Sequence, residues 1–290
     1  MNSFLLIDKP AGWSSFDVIR QLRRILGIKK IGHAGTLDPF ATGLLICATG
    51  QYTRLLKYAE AQSKTYTASL LLGKKSSTGD PEGEIIASSE ISYNSQDLST
   101  LPEKILALKS LRVPEYSAVK INGKRAYKLA REGKILEMPI RPVTIHDFRI
   151  SQSQDSAVLD YTVKVSKGTY IRALSEYIAE ALGCVGMTIA LRREAIGDIG
   201  VDSAVNFDDL ETKWRSGICP AKKILKLDSI LLNNEQTTKI IHGRGISVGD
   251  NFAESIELAM YDEQDRLLGI GCVETGMIRP KQVFDPGESL

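Results

Sequence analysis

Residues 32–45 read GHAGTLDPFATGLL. One histidine and one aspartate stand here among small residues, in a segment too loose to be core. Three readings compete: a tight turn, a phosphate-cradling loop, or a catalytic loop around Asp38. A phosphate loop of the G-x-x-x-x-G-K-[ST] type needs a lysine after its last glycine, so that the ammonium meets the phosphates. No lysine follows these glycines at that spacing, GKKS at Gly73 lacks the upstream glycine, and no G-x-G-x-x-G occurs. Nucleotide-dependent chemistry is disfavoured. The turn reading makes Asp38 a helix cap with Pro39 in the first helical position, the commoner role of an isolated Asp-Pro. The surroundings have to decide.

Working outward, SFLLID (3–8) is a buried strand bounded by Lys9-Pro10. SSFDVIRQLRRILG is a helix: Ser14 or Ser15 caps it, Asp17 sits in its first turn and Gly27 ends it. Val18, Leu22, Ile25 and Leu26 fall on one face, and Arg20, Arg23 and Arg24 face water or a partner. GLLICAT (43–49) and KTYTASLLL (64–72) are strands, with a short helix from Thr53 between them and a turn-rich loop, GKKSSTGDPEGE, after them. A capped helix covers Ser95 to Leu108. VPEYSAVKINGKRAYKLAREG (113–133) has a turn at Asn122-Gly123 and then a short helix carrying Lys124, Arg125, Lys128 and Arg131, interleaved with Tyr116 and Tyr127. Strands follow near 140–150 and 156–165, a helix from about Tyr170 to Leu182, and a strand-like stretch from Met187. The elements interleave without a regular βαβ beat, which predicts a mixed α+β sheet domain. Composition shifts near 225. The tail, with turns at HGRG, VGDN, YDEQD and GIG, reads as a small β-rich domain.

The bulk numbers fit this picture. The 290 residues are 43% hydrophobic and 25% charged, enough for one large domain or a large and a small one. No segment approaches the roughly 20 apolar residues of a membrane helix. The start MNSFLLIDKP lacks a basic region and meets Asp8 too early for a signal peptide, so a cytoplasmic location is expected. Cys47, Cys184, Cys219 and Cys272 are scattered and far from any histidine, which disfavours zinc and suggests buried thiols. Net charge is only +2, but residues 1–75 hold eleven Lys/Arg against four Asp/Glu, and residues 104–141 hold ten against three. Residues 201–290 reverse the balance, ten against fifteen. Two basic regions on a nearly neutral chain suggest either a polyanion touching part of the surface or solvated helix faces.

GHAGTLDPFATGLL resembles the signature of the TruB-type tRNA pseudouridine synthases, which isomerise uridine 55 in the T loop. Further motifs appear in family order: IDKPAGWSS (7–15), KTY (64–66), YSAVKINGKRAYKLAREG (116–133), SKGTYIR (166–172) and ALRRE (190–194). Glu115, where a second proline is usual, and Ala126, where a bulkier residue is usual, depart from the pattern. The resemblance implies a sheet domain of pseudouridine synthase type over residues 1–225, with an RNA-gripping insertion at about 113–141. A small PUA-like β domain would follow over 228–290. It implies Asp38 as nucleophile, Tyr66 stacked on the flipped uracil, and Arg172 paired with Asp38. Leu191 would help close the pocket and His33 would touch the T loop. Lys9 with Pro10 would support the pocket wall, and Tyr170 would be a pocket neighbour. Lys120, Lys124, Arg125, Lys128 and Arg131 would bind phosphates.

The residue types suit that chemistry. Uracil leaves ribose C1′, rotates and rejoins through C5, so no redox step or group donor is needed, and neither cofactor nor metal is expected. A carboxylate in a dry pocket resists ionisation, and a nearby guanidinium favours the charged form while bridging both oxygens. Extruding the base costs a few kcal/mol, and an aromatic face returns about 1–3 kcal/mol. Glycosidases usually pair two carboxyl groups, one of which activates water; the signature offers only Asp38 and a cation. The expected protein is therefore a monomeric enzyme acting on the T stem-loop of tRNA, with no obligatory protein partner. A non-catalytic tRNA-folding chaperone on the same scaffold is the alternative, and an N-glycosidase stands third.

Overall fold

The structure, a computed structural model, describes residues 1–134, 136–248 and 252–284. In chain order it contains β1 (Phe4–Lys9), α1 (Ser15–Leu26), β2 (Ile31–Ala34), β3 (Thr42–Thr49), α2 (Leu56–Ala61) and β4 (Lys64–Leu72). Next come β5 (Lys74–Ser76), β6 (Ile85–Ser88), α3 (Ser95–Leu106), β7 (Ser110–Arg112), β8 (Lys120–Ile121), β9 (Lys124–Arg125) and α4 (Ala126–Arg131). β10 (Ile140–Pro142), β11 (Ile145–Gln152), β12 (Val158–Val165), α5 (Ile171–Ala181) and β13 (Gly186–Ile196) complete the set around the site.

A ten-stranded sheet dominates, running β11-β12-β4-β13-β3-β1 to a short last strand at Val205–Asn206. Its pairings are antiparallel except β13 with β3 and β1 with that last strand. The expected α+β, largely antiparallel architecture is what forms. The covering helices follow from sequence pattern. In α1, Ser14 and Asp17 make a reciprocal capping box, and Val18, Ile19 and Leu22 bury against Leu5, Ile7, Leu45 and Cys47. α3 and α5 cover the same face further along, over Tyr66, Leu70, Leu159 and Val163. One lateral row of this sheet matters most. Lys9, Gly43, Arg193 and Tyr66 are direct neighbours across β1, β3, β13 and β4, and they share a face between the two helical covers. Gly43 lets the row close up, because a Cβ there would lie 2.3 Å from the Arg193 carbonyl oxygen.

The tail forms a separate five-stranded sheet, from Asp228–Leu232 to Met277–Val283, with a helix at Asn234–Ile241. It packs on the opposite face of the large sheet: Tyr261, Leu267, Ile270 and Phe284 join Phe4, Leu44 and Ile46 in one apolar cluster.

Several expectations are corrected. Asp38-Pro39 does not start a helix; Ala41 N–H bonds the Asp38 carbonyl at 3.1 Å in a single turn, which leaves the carboxylate free of capping. Lys124 and Arg125 lie on a two-stranded hairpin before the helix, because Asn122 and Gly123, both at positive φ, form a tight turn that pairs Lys120 with Arg125. The loop after β4 contains the hairpin β5–β6. GIG is mid-strand, not a turn: a Cβ on Gly269 would meet Gln282 O at 2.3 Å, and one on Gly271 would meet Ile278 at 2.4 Å, so these glycines serve close strand contact. The VGDN turn lies, apart from Val248, outside the described residues.

Candidate active site

The Asp38 loop lies over the row of Lys9, Gly43, Arg193 and Tyr66, and buried cations hold it by its carbonyls. Lys9, fully buried, donates from Nζ to Pro10 O at 2.9 Å, Trp13 O at 2.6 Å and Pro39 O at 3.2 Å. Arg193, also buried, donates from Nε to Leu44 O at 2.7 Å and from Nη2 to Gly35 O at 3.1 Å. From α1, Ser15 Oγ accepts Leu37 N–H at 2.9 Å and donates to Leu37 O at 3.2 Å. The loop is thus pinned at both ends and on both sides of Asp38. Loose composition here reflects backbone that must approach side chains closely, not mobility.

Arg172 arrives from the first turn of α5 and meets Asp38 at two points, Nε to Oδ2 at 2.9 Å and Nη2 to Oδ1 at 3.3 Å. This is the fork geometry that fixes a carboxylate plane. The remaining guanidinium donors are also used: Nη1 bonds Thr78 O at 2.6 Å and lies 3.3 Å from Asp80 Oδ2, and Nη2 bonds Tyr116 O at 2.9 Å. Arg172 and Asp80 are each 4% exposed, while the Asp38 side chain keeps 33% of its surface open. The pair is therefore asymmetric, with a locked cation behind and an accessible carboxylate in front. Burial pushes the Asp38 carboxyl above the ordinary aspartate value; Arg172 pulls it down and Asp80 pushes it up. The guanidinium reduces the rise without reversing it. Glu82, on the same loop as Asp80, is raised by burial and then by the charges of Asp80 and Asp38.

The other expected residues divide by location. Tyr66 and Leu191 are buried in one apolar cluster with Leu37, beside the Asp38 loop. His33 is half-buried on β2, its pKa lowered by burial and then by Arg193, and its Nδ1 has no partner among the described residues. Burial lowers Lys9 to about 8. Tyr170, two residues before Arg172, precedes α5 and packs against the cluster of Val113, Ala126 and Met138, the small core of the 113–141 segment. Ala126 is small because that core fully buries it. Lys120, Lys124, Arg125, Lys128 and Arg131 are all exposed.

Sequence reasoning missed Asp80, Arg193 and Ser15. GKKSSTGDPEGE has the turn residues of a solvent loop, and nothing local marks Asp80 as buried. Arg193 stands in ALRRE without any feature to separate it from the half-buried Arg192. Among the described residues, no group of three His, Cys, Asp or Glu side chains is placed to hold a metal ion.

A fork-paired aspartate thus sits on a pinned loop, over a mixed sheet and beside a buried tyrosine. The chain covers 98% of its length against 85% of a protein from an H/ACA ribonucleoprotein bound to a substrate RNA containing 2′-deoxyuridine, with TM-score 0.73 and 19% identity, a likeness of fold. Residues 23–171 match the model of the TruB family pseudouridylate synthase N-terminal domain, and residues 229–284 match that of the pseudouridine synthase II TruB C-terminal region. The tRNA pseudouridine synthase B of Arthrobacter sp. (strain FB24) is 38% identical over 255 residues, covering 86% of this chain and 83% of that protein. That of Paenarthrobacter aurescens (strain TC1) is 34% identical over 299 residues, covering 99% and 96%. The chain belongs to the TruB family of pseudouridine synthases.

Proposed function

We propose that this chain isomerises uridine to pseudouridine at position 55 in the T loop of tRNA, as a cytoplasmic monomer without cofactor. The observation that carries the reading is the Asp38–Arg172 fork, which leaves the carboxylate 33% exposed. In this mechanism the target uridine leaves its stack and enters beside Tyr66, whose ring replaces part of the lost stacking. Asp38, ionised, acts as the nucleophile, and Arg172 keeps its two oxygens oriented. The C1′–N1 bond breaks, the uracil turns and C5 bonds to C1′; any bond that Asp38 has formed to the nucleotide breaks again in the process, C5 loses its proton and N1 gains one. Tyr66 would take the C5 proton. Leu191 excludes water, Lys9 fixes the loop and His33 touches the T loop. Asp80 is held by Arg172 and buried, so it is not free to activate water against the detached base. The exposed cations of the 113–141 insertion bind phosphates, residues 1–225 carry catalysis, and residues 228–290 form the accessory domain.

The test is to incubate the protein with unmodified tRNA transcript and map pseudouridine. Product at the T-loop uridine, lost in Asp38→Ala while tRNA binding survives, is the expected result. Binding without product in the parent points to a folding chaperone, and free uracil points to a glycosidase.

A further inference from the structure

Three buried cations of the large sheet lack a counter-charge. Arg193, Lys9 and Lys64 are 1%, 0% and 7% exposed, and none forms an ion pair among the described residues. Backbone carbonyls alone receive them: Leu44 and Gly35 for Arg193, three loop carbonyls for Lys9, and the end of α2 for Lys64. Arg172 is about as deeply buried, yet it meets two carboxylates, Asp38 and Asp80. A buried ion without a partner of opposite charge is costly, and an apolar side chain of similar size serves stability better. The cations also act on one another. Burial is the first cause that lowers His33, Lys9 and Lys64, and the charge of Arg193 lowers each of them further. Of the three, Arg193 is the one beside the base-stacking tyrosine. It stands directly across from Tyr66 on the neighbouring strand, with backbones about 5 Å apart and both side chains on one face. Its Nη2 reaches the Asp38 loop at Gly35 O, and its Nη1 bonds nothing among the described residues. A Cβ on Gly35 would lie 3.4 Å from that Nη1. A guanidinium is thus lodged between the tyrosine and the loop, with no acid to neutralise it.

The reaction proposed above moves a negative charge towards this place. Asp38 brings one such charge into the site. With Asp38 bonded to C1′, the electron pair of the broken C1′–N1 bond stays on N1, so the carboxylate is neutral as an ester and the charge sits on the detached uracil. It stays there until the turned base bonds C1′ through C5 and releases Asp38 as a carboxylate, after which C5 loses its proton and N1 gains one. Arg172, fixed by its two acids, matches the first position of the charge and not the second. We infer that Arg193 supplies the counter-charge for the detached uracil, holding the negative base at Tyr66 while it turns. The inference rests on the proposed reading of the chain as an RNA-uridine isomerase. It gives Arg193 an electrostatic task beyond tethering the loop. Two unit charges about 8 Å apart, at an effective dielectric of about 20, attract by an amount equivalent to about 30-fold in rate. Preorganised charge aimed at where charge develops is the general means by which a closed site lowers a barrier.

The test compares the full-length parent with Arg193→Met, which removes the charge, and Arg193→Lys, which keeps it, on tRNA carrying uridine or 5-fluorouridine at the target position. Fluorine draws charge out of the ring, so the detached fluorinated base needs less help from a cation. The readouts are single-turnover consumption of the target nucleoside, after complete digestion, and tRNA affinity. Arg193→Met is expected to consume uridine about 30-fold more slowly than the parent at unchanged affinity. Its rate ratio of 5-fluorouridine to uridine is expected to exceed that of the parent, and Arg193→Lys to recover most of the lost rate. A slack loop alone slows both bases alike. A parent-like rate in Arg193→Met, equal losses for the two bases, or Arg193→Lys no faster than Arg193→Met would overturn the inference. Arg193→Gln, which keeps a donor for the loop, stands in if Arg193→Met does not fold; failure of both to fold shows that the guanidinium serves structure and overturns it too. Pseudouridine formed by the parent on unmodified tRNA is read separately, so failure of the proposed function and failure of this inference are distinguishable.

Discussion

At the scale of single residues, the pair Asp38–Arg172 joins positions 134 apart in the chain, and no local pattern predicts such a meeting. Motif resemblance supplied it; spacing could not. Asp80 escaped both routes, yet its charge bears directly on the pair. In the proposed mechanism Asp38 works as a carboxylate, so activity is expected to fall as pH drops through its raised pKa, with the acid limb of the rate profile above the ordinary aspartate range. Asp80 is one cause of that rise. Asp80→Asn therefore lowers the pKa of Asp38 and moves the acid limb to lower pH, while the plateau rate falls as Arg172 loses an anchor; a kcat–pH profile on tRNA reads both. The linkage to stability has a defined sign. Between the unfolded aspartate value and the raised folded one, the native state binds more protons, so stability falls as pH rises through that window and stays reduced above it. At neutral pH the ionised Asp38 thus costs the fold, and Asp38→Asn is expected to melt no lower than the parent while its product formation vanishes. A lower melting temperature for Asp38→Asn would show that the carboxylate is structural.

At the scale of elements, what was legible was local. α1 could be read from its cap, its apolar stripe and Gly27, since each signal sits within a few residues of its effect. The 113–133 segment is half legible. Its Asn-Gly turn is visible, but strands of two residues show no alternation, so Lys124 and Arg125 look like part of the helix that starts after them. Their exposure still supports the phosphate role. Arg125→Ala with Lys128→Ala is expected to weaken tRNA binding and to flatten its salt slope by about 1.4–1.8, measured by titration at several ionic strengths. An unchanged slope removes them from the interface. α1 has a second task that its pattern conceals, because a serine in the first turn reads as a cap. Ser15→Ala leaves the buried Leu37 N–H unpaired, a cost of about 1–3 kcal/mol, and frees the residue next to Asp38. A misplacement of about 1 Å can cost up to about 100-fold in rate. The expected signature is a kcat lowered by more than about tenfold with tRNA affinity retained, since Ser15 is buried out of reach of a bound RNA.

At the scale of the whole molecule, the composition shift near 225 marks where the chain leaves the large sheet, but it says nothing of how closely the tail returns to it. That contact is made by residues far apart in sequence, and periodicity carries no trace of it. Phe284 packs edge-on against Tyr52 at 5.5 Å between ring centres, Tyr52 lies 5.4 Å from Phe4 on β1, and Tyr58 donates to Glu257 at 2.9 Å. Ala259, Tyr261, Leu267 and Ile270 of the small sheet share the cluster of Leu44, Ile46 and Leu55. An interface this apolar leaves neither sheet able to expose its half to water cheaply, so the two should unfold together. Phe284 is 1% exposed, and truncating a buried phenylalanine to alanine costs about 3–5 kcal/mol. If the tail were an independent unit, Phe284→Ala would lower one of two calorimetric transitions and leave the other in place. The shared cluster requires a single transition in the parent and a single, lower one in Phe284→Ala, and the variant's activity below its melting point should stay near that of the parent because the cluster lies on the sheet face opposite Asp38.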